Sequence, residues 1–254
     1  MVFKGHDLKG QIALVTGAGS GIGREVSRVL AEEGAFVALV DVNEESIKET
    51  SELIKKDGGS CKIYSADVSK GKEVKRVFED LISEKKKLDI LVTCAAIISP
   101  TRTWDIQEQE WDRIIDVNLK GVFLTVQAAL LIMRKQQCGK IVTIGSDVGK
   151  RGGGRFGGSH YAASKGGVLA FTRTVAREVA KEGISVNCVS PGPTKTPLHK
   201  GITPEQMELL VSGIPKGRLG EPREVANVVA FLVSDLASHI HGETINVDGG
   251  VMMD

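Results

Sequence analysis

Short apolar runs alternate with longer amphipathic stretches along the chain. The runs are rich in Val and Ile and have the length of buried β-strands; they occupy residues 12–16, 36–41, 62–66, 90–94, 140–144, 184–189 and 244–247. Stretches with apolar residues at helical spacing lie between them, at 22–33, 44–56, 74–82, 108–133, 161–182 and 222–234. This alternation predicts a parallel sheet covered on both faces. We therefore expect an α/β fold, a Rossmann-type doubly wound sheet of about seven strands.

No linker-like composition and no long internal repeat divides the chain, so we interpret residues 1–254 as one domain. A cofactor half at about 10–140 would precede a catalytic and substrate half at about 141–254. Two segments of the second half are unusual. Residues 149–158 contain six glycines and two arginines, and residues 194–220 form a long segment whose middle, 204–211, predicts a short lid helix. Both follow strands, so both should overhang the sheet edge where such folds bind ligands.

Composition narrows the class of protein. Lys plus Arg is 33 and Asp plus Glu is 32, a net charge of +1 that argues against binding nucleic acid or anionic membranes by bulk charge. The four cysteines form no Cys-x-x-Cys pair, which predicts buried single thiols in a reducing compartment. Residues 1–10 lack a signal-peptide core, and no run approaches the roughly 18 apolar residues that span a bilayer. We expect a cytoplasmic protein without membrane or nucleic-acid partners.

The first predicted strand runs into a glycine-rich segment, Thr-Gly-Ala-Gly-Ser-Gly-Ile-Gly at residues 16–23. The spacing is not G-x-G-x-x-G, but the context of strand before and helix after is the same. Such glycines allow a tight turn and let backbone N–H groups approach a pyrophosphate at a helix N-terminus. A glycine-rich turn without a ligand is the alternative. The candidate cofactor contacts in this segment are Gly17, Ser20, Gly21, Ile22 and Gly23.

Asp41 ends the second strand, 18 residues after Gly23. An acidic side chain there can accept hydrogen bonds from the adenosine ribose hydroxyls. It would also repel a 2′-phosphate, and no Lys or Arg stands at Ser20, Val42 or Asn43 to offset that. We therefore expect NAD(H) to be preferred over NADP(H). Asp67, after the third strand, either holds the adenine edge or caps the following helix.

Only two tyrosines occur, and one of them has a suggestive neighbour. Tyr161 precedes Lys165 by four residues inside a predicted helix, so both side chains share one face. A phenol has a pKa of about 10, too high for proton exchange near neutral pH. A nearby ammonium and a positive nicotinamide would favour the phenolate and lower that value. A strand that ends in Ile-Gly-Ser at 144–146 lies just upstream.

These features together resemble the short-chain dehydrogenase/reductase family over nearly the whole length of the chain. The order and spacing of the matching segments carry the resemblance: residues 16–23, Asp67-Val68, Val-Asn-Leu-Lys-Gly at 117–121, Gly145-Ser146, Tyr-Ala-Ala-Ser-Lys at 161–165, Pro191-Gly192 and Val-Asp-Gly-Gly at 247–250.

The resemblance implies a role for each matching residue. Tyr161 would be the general acid/base, and Lys165 would lower its pKa and hold the nicotinamide ribose. Ser146 would hydrogen-bond the substrate carbonyl oxygen. Asn118 would keep a water that links Lys165 to solvent, unless it is a helix-interior Asn bonded to backbone. Thr196 would contact the nicotinamide carboxamide, or face water as a loop hydroxyl.

Further cofactor contacts and an assembly state are also implied by the resemblance. The additional contacts are Val68, Ala95, Pro191, Gly192 and Thr194. Members of this family usually form homotetramers, and the expected contacts are the helices near 108–133 and 161–182. No metal is required. His239, His241 and Glu243 are better explained as a solvated surface cluster than as ligands.

The chain also departs from the family pattern. The usual Asn-Asn-Ala-Gly after the fourth strand reads Thr-Cys-Ala-Ala at 93–96, so Cys94 and Ala96 stand at the cofactor's seat. Ser146 and Tyr161 are 15 residues apart, about two more than usual, with the extra length in segment 149–158. Ser159 is close in sequence to Tyr161, but two residues before it on a helix it should point elsewhere.

Three functions remain open at this level. The first is an NAD(H)-linked enzyme that interconverts a secondary alcohol and a ketone, and the second is a 3-oxoacyl-carrier-protein reductase. The lid and Gly-Arg-Leu-Gly at 217–220 resemble those reductases, whereas Asp41 and the lack of a basic patch count against them. The third is a dinucleotide-binding regulator without turnover. The nature of the substrate stays open between two alternatives. A partly apolar lid is suggested by Phe156, Leu198, Met207 and Leu210, whereas contacts to an anion or to hydroxyls are suggested by Arg151, Arg155 and His199.

Overall fold

Seven parallel strands form one sheet in the computed structural model, which describes residues 7–153, 157–197 and 201–253. The strands are β1 (Ile12–Thr16), β2 (Phe36–Asp41), β3 (Ser60–Ser65), β4 (Ile90–Thr93), β5 (Gly139–Ile144), β6 (Ile184–Pro191) and β7 (Thr244–Val247). Their order across the sheet is β3-β2-β1-β4-β5-β6-β7. The chain reverses its winding direction between β1 and β4, which opens a crevice beyond the carboxyl ends of these strands. The predicted fold class is confirmed.

Helices cover both faces of the sheet. They are α1 (Gly21–Glu32), α2 (Glu44–Lys56), α3 (Gly71–Lys85), α4 (Glu108–Ile115), α5 (Gly121–Gln136), α6 (Val148–Arg151), α7 (Ser159–Val179), α8 (Pro204–Ser212) and α9 (Pro222–Val233). A single π-helical turn, Asp116–Lys120, joins α4 to α5.

The core is divided into two layers because side chains alternate between the faces of each strand. On β1, Ala13 and Val15 join the layer beneath α1, α2 and α9, whereas Ile12 and Leu14 join the layer beneath α3, α5 and α7. Both faces of the central strands are therefore apolar, which explains why they read as unbroken apolar runs.

Two predicted segments differ from the structure. The segment 149–158 was expected to be a loop, but its start lies in the one-turn helix α6, which the buried carboxylate of Asp147 caps by accepting the Val148 N–H at 2.8 Å. The long helix near 108–133 extends to Gln136 and is interrupted by the π turn. Hydrophobic periodicity cannot reveal either feature, because a cap and a π turn depend on individual contacts.

The helical segment Glu108–Gln136 is long and apolar enough, by length and composition only, to cross a membrane, with a mean hydropathy of 1.5. Its inward residues, among them Ile114, Val126 and Met133, are buried in the core. Its outward face exposes Phe123 and Leu131. We interpret it as a core helix whose outer face is apolar.

Candidate active site

A cavity of about 690 Å³ lies beyond the carboxyl ends of the central strands, within the size range of small-molecule sites. The structure brings nearly all predicted site residues to this one place, although they are spread over 180 residues of sequence. The predicted site residues in its lining are Gly17, Ser20, Gly21, Ile22, Gly23, Asp41, Asp67, Val68, Ala95, Ser146, Tyr161, Lys165, Pro191, Gly192, Thr194 and Thr196. Asn118 is the exception, and it is fully buried behind the wall.

The glycines at the start of α1 permit close packing of backbone on backbone. Gly17 has a φ of +66°, and a Cβ on it would lie 2.7 Å from the Ala95 Cα. A Cβ on Gly23 would lie 2.0 Å from the Gly17 carbonyl oxygen. Any side chain at Gly23 would therefore push α1 away from the turn that precedes it.

The N-terminus of α1 has backbone donors to offer a ligand. Ser20, its N-cap, makes no side-chain capping hydrogen bond, and the first turn contains no acidic residue. In contrast, Asn43 caps α2 and Thr203 caps α8 through their side chains. The first N–H groups of a helix need partners, and here they border the cavity. A pyrophosphate, which is anionic and rich in acceptors, fits this end of the cavity.

Asp41 lies beside this turn with its carboxylate partly engaged. Its Oδ2 accepts the Gly19 N–H at 3.0 Å and its Oδ1 accepts the Asn43 N–H at 3.0 Å. Each carboxylate oxygen has a second lone pair, so Asp41 can still accept hydrogen bonds from ribose hydroxyls. The nearest arginine, Arg24, donates to the Gly19 carbonyl oxygen and pairs with Glu49 at 2.8 Å. Arg24 therefore braces the turn.

Asp67 makes contacts that the sequence did not indicate. Its carboxylate accepts hydrogen bonds from the Ser69 N–H and hydroxyl, at 2.9 and 2.6 Å, and from Arg113 at 3.2 Å. Burial alone would raise the pKa of Asp67, but these hydrogen bonds outweigh it and lower the pKa. The cap alternative is wrong in its simple form, because Lys70 is the N-cap of α3. Arg113 also lines the cavity; 46 residues separate it from Asp67, so no local pattern predicts the pair.

Tyr161 and Lys165 share one face of α7 at the floor of the cavity, as their spacing predicts. Burial is the largest influence on both. It raises the pKa of Tyr161 to about 12, although the hydroxyl of Ser146 beside it acts in the opposite direction. It lowers the pKa of Lys165 to about 8. The Lys165 Nζ donates to the Ile144 carbonyl oxygen at 2.8 Å and lies 6.0 Å from the centre of the Tyr161 ring.

The expectation that Lys165 lowers the pKa of Tyr161 is thus not met by the protein's own groups. Desolvation disfavours the phenolate and the ammonium alike, and it is the largest influence on both pKa values. A bound oxidised nicotinamide would bring a positive charge that favours the phenolate.

Asn118 lies in the π turn and is bonded within the protein. Its Oδ1 accepts the Ile97 N–H at 2.8 Å, while its Nδ2 donates to the Ile97 carbonyl oxygen at 2.9 Å and to the Ser164 hydroxyl at 3.1 Å. These bonds hold the segment after β4 against α7, directly behind Tyr161. The alternative of an Asn bonded to backbone describes these contacts, and the proton relay stays a prediction.

The chain is similar to known proteins over nearly its whole length. A family model described as "Enoyl-(Acyl carrier protein) reductase" matches residues 17–252. The chain is 39% identical over 245 residues to the 3-oxoacyl-[acyl-carrier-protein] reductase FabG of Salmonella typhimurium, covering 96% of this chain and 98% of that protein. Over 245 residues it is 41% identical to FabG of Staphylococcus epidermidis, with 95% and 98% covered. A short-chain type dehydrogenase/reductase from Mycobacterium marinum has the same fold, with a TM-score of 0.93, 34% identity and 98% of each chain covered.

The chain belongs to the short-chain dehydrogenase/reductase family. The resemblance indicated by the motifs is therefore confirmed. The protein is an oxidoreductase that acts on a CH–OH group or the corresponding carbonyl, and it binds a nicotinamide dinucleotide.

In this short-chain dehydrogenase/reductase, the altered segment after β4 forms part of the cavity wall. Thr16 compensates in part, because its hydroxyl accepts the Ala95 N–H at 3.3 Å. Cys94 and Ala96 both line the cavity. Burial raises the pKa of the Cys94 thiol to about 12, so Cys94 is a small neutral filler and a poor nucleophile.

Other candidates from the sequence lie away from the reacting groups. Ser159 accepts a hydrogen bond from Thr103 at 3.0 Å and does not line the cavity, as expected. His241 contacts the Ala176 carbonyl oxygen at 2.7 Å, and the described residues contain no cluster of metal ligands. Of the predicted lid and substrate residues, Leu210 and Arg151 line the cavity, while Met207 lies on α8. Arg155, Phe156, Leu198 and His199 are outside the described residues.

Proposed function

We propose that this protein reduces the 3-oxo group of an acyl thioester to a 3-hydroxy group, with NADH as the reductant. The observation that carries the reaction class is the convergence of Tyr161, Ser146 and Lys165 at the floor of a cavity whose far end suits a pyrophosphate. The names of the relatives favour this substrate class over a general alcohol or ketone. Leu209, Leu210 and Ile214 add an apolar wall suited to an acyl chain.

The protein's residues divide the work of reduction. When bound, the nicotinamide supplies the hydride. Ser146 donates a hydrogen bond to the carbonyl oxygen and stabilises the charge that develops there. Tyr161 delivers its proton to that oxygen, for which its raised pKa is suitable, because it keeps the phenol protonated until the alkoxide forms. Lys165, with a pKa of about 8, remains mostly charged at neutral pH beside the phenol.

The cofactor preference rests on Asp41. Its carboxylate lines the end of the cavity where an adenosine ribose would lie, and the flanking Val42 and Asn43 offer no positive charge to a 2′-phosphate. Arg24, which braces the turn beside Asp41, is held by Gly19 and Glu49. We therefore favour NADH over NADPH; NADP(H) is the alternative.

A general secondary alcohol dehydrogenase is the second candidate. Two observations favour it: Asp147 and Arg151 add a polar pair to the wall of the cavity, and the net charge of +1 offers little attraction to an acidic carrier protein. A regulator without turnover is disfavoured, because Asn118, Ser146, Tyr161 and Lys165 are all present at one site.

A substrate panel with one variant tests the proposal. We expect acetoacetyl-coenzyme A to be reduced with a higher kcat/KM than simple ketones, sugars or oxo acids, and the loss of NADH absorbance measures each rate. Tyr161→Phe should bind NADH as the parent does but turn over roughly 10²–10⁴-fold more slowly. Preference for a polyol or simple alcohol would support the second candidate, and normal turnover by Tyr161→Phe would contradict the reaction mechanism.

We also propose a homotetramer and a cytoplasmic location. Phe123 of α5 and Phe171 of α7 pack edge to face, with ring centres 6.4 Å apart, on the two helices that the family resemblance names as contacts. Phe123 and Leu131 are exposed in the single chain, a large apolar face that a second copy would cover. All four cysteines are free thiols, which suits a reducing compartment.

A further inference from the structure

The residue after Ser146 places a carboxylate beside the reacting groups. Asp147 lines the cavity and is only 3% exposed. Its Oδ1 accepts the Val148 N–H at 2.8 Å and the Ser146 hydroxyl at 3.1 Å. The Nε of Arg151 donates to Oδ2 at 2.9 Å, and Nη2 lies 2.9 Å from the same oxygen. A buried carboxylate needs such partners to remain charged.

The Asp147–Arg151 pair is held rigidly relative to Tyr161. The Arg151 N–H donates to the Asp147 carbonyl oxygen at 3.1 Å and closes the single turn of α6. This turn packs directly on the backbone of α7, since a Cβ on Gly149 would lie 2.8 Å from the Lys165 carbonyl carbon. The pair therefore has a defined position beside the acid/base and cannot drift away as surface side chains do.

The first consequence concerns the Ser146 hydroxyl. A hydroxyl has a single proton to donate, and in this structure the Asp147 carboxylate accepts it at 3.1 Å, although the Tyr161 hydroxyl also lies beside Ser146. To donate to a substrate oxygen, the hydroxyl must leave Asp147 or be shared with it. Asp147 therefore controls the direction in which Ser146 points before the substrate binds.

The second consequence concerns charge near the Tyr161 hydroxyl. Burial is the main cause of the raised pKa of Tyr161, and the negative charge of Asp147 adds to it. Arg151 carries the opposite charge on the same carboxylate, so the pair as a whole is neutral. If either member were lost, a net charge of one sign would remain beside the phenol.

We propose that Asp147 and Arg151 are a positioning pair for the reaction: Asp147 holds the Ser146 hydroxyl, and Arg151 cancels the charge that Asp147 brings close to the Tyr161 hydroxyl. The inference rests on the proposed function insofar as Tyr161 is the acid/base. It is independent of the substrate and of the choice between NADH and NADPH.

The other ionisable groups around Tyr161 are common to all variants of this pair. Lys165 lies on the same helix as Tyr161, and the thiols of Cys94 and Cys188 lie close to Lys165. Burial raises the pKa of both thiols, so both are neutral. His160, the residue before Tyr161, contacts Glu110 of α4 at 3.2 Å.

Lys150, on α6, is close enough to Cys188 to influence its pKa. Because Lys165 also titrates, an apparent pKa of activity belongs to the coupled site. The difference in apparent pKa between a variant and the parent, and not the value itself, therefore reports on the Asp147–Arg151 pair.

The experiment compares the parent with four variants by the pH dependence of kcat for oxidation of ethyl 3-hydroxybutanoate by NAD⁺, a direction that requires the phenolate. Asp147→Asn leaves Arg151 unpaired and should lower the apparent pKa by about one pH unit. Arg151→Gln leaves Asp147 unpaired and should raise it by a similar amount. The double variant removes both charges and should return close to the parent, and Arg151→Lys should restore the parental profile.

Controls separate a loss of fold or of dinucleotide binding from an effect on the pH profile. Circular dichroism and NADH titration show whether each variant is folded and binds the dinucleotide. Arg113→Gln removes the second arginine that the described part of the chain contributes to the cavity wall, paired with Asp67 at 3.2 Å, and should leave the apparent pKa in place whatever its effect on KM. If Tyr161→Phe retains turnover, the proposed function fails. If Tyr161→Phe is inactive but the two single variants shift the profile in the same direction, or not at all, the pair has no positioning role.

Discussion

Lys165 offers a direct test of how burial governs this site. Its ammonium is almost fully enclosed, and burial lowers its pKa from 10.5 to about 8. One pKa unit corresponds to about 1.4 kcal/mol, so the charged side chain costs the fold about 3 kcal/mol below pH 8. The unfolded chain binds this proton more tightly than the folded one, so the cost falls as pH rises from 8 towards 10.5. Stability should therefore increase with pH over that range.

Lys165→Met removes the charge while keeping most of the side-chain volume. It also removes the hydrogen bond to the Ile144 carbonyl oxygen, a loss of about 1–3 kcal/mol that offsets much of the gain at pH 7. The pH dependence of the free energy of unfolding is therefore more informative than its value at pH 7. Between pH 7 and pH 10 the free energy of unfolding of the parent should rise by about 2–3 kcal/mol relative to the variant.

Urea denaturation at fixed protein concentration measures this difference. Circular dichroism is the better probe, because Trp104 and Trp111 are both exposed. The exposed Lys55 supplies a matched control: Lys55→Met should run parallel to the parent across the whole range. If Lys165→Met also runs parallel to the parent, the lysine is not desolvated in the way that the structure implies.

Three further outcomes are expected. The parent should bind NADH at least about tenfold more tightly than NADPH in a fluorescence titration, and Asp41→Ala should reduce that ratio by a similar factor; tighter NADPH binding by the parent would contradict the assignment of Asp41. Gly23→Ala should lower the free energy of unfolding by about 1–3 kcal/mol and weaken dinucleotide binding, because the new Cβ would lie 2.0 Å from the Gly17 carbonyl oxygen. Gly71→Ala is the control and should be tolerated, because the nearest atom to its Cβ would be 3.6 Å away. Leu131→Asp should dissociate the oligomer, which light scattering would detect as a lower molar mass. A parent that is already monomeric would refute the tetramer.

Periodicity and glycine placement predicted much of this molecule. The apolar runs predicted each strand to within about two residues, because strands buried on both faces must be apolar throughout. The spacing of Tyr161 and Lys165 predicted that they share a helix face. Asp41 was placed beside the glycine turn because both follow neighbouring strands of a parallel sheet.

Contacts between distant segments left no such pattern. Arg113 on Asp67 and Asn118 on Ile97 join residues 46 and 21 positions apart, and no local periodicity marks them. Asp147 and Arg151 are four residues apart, which is a helical spacing. The helix that brings their side chains together is, however, a single turn in a segment that was predicted to be a loop.

The sequence by itself determined the parallel sheet, the position of the glycine turn and the shared helix face of Tyr161 and Lys165, because each depends on local spacing or on the apolar content of a strand. Only the tertiary structure decided the protonation behaviour of that pair. The pKa values of Tyr161 and Lys165 depend chiefly on how completely the folded chain excludes water from them, and exclusion of water is a property of everything packed around a side chain.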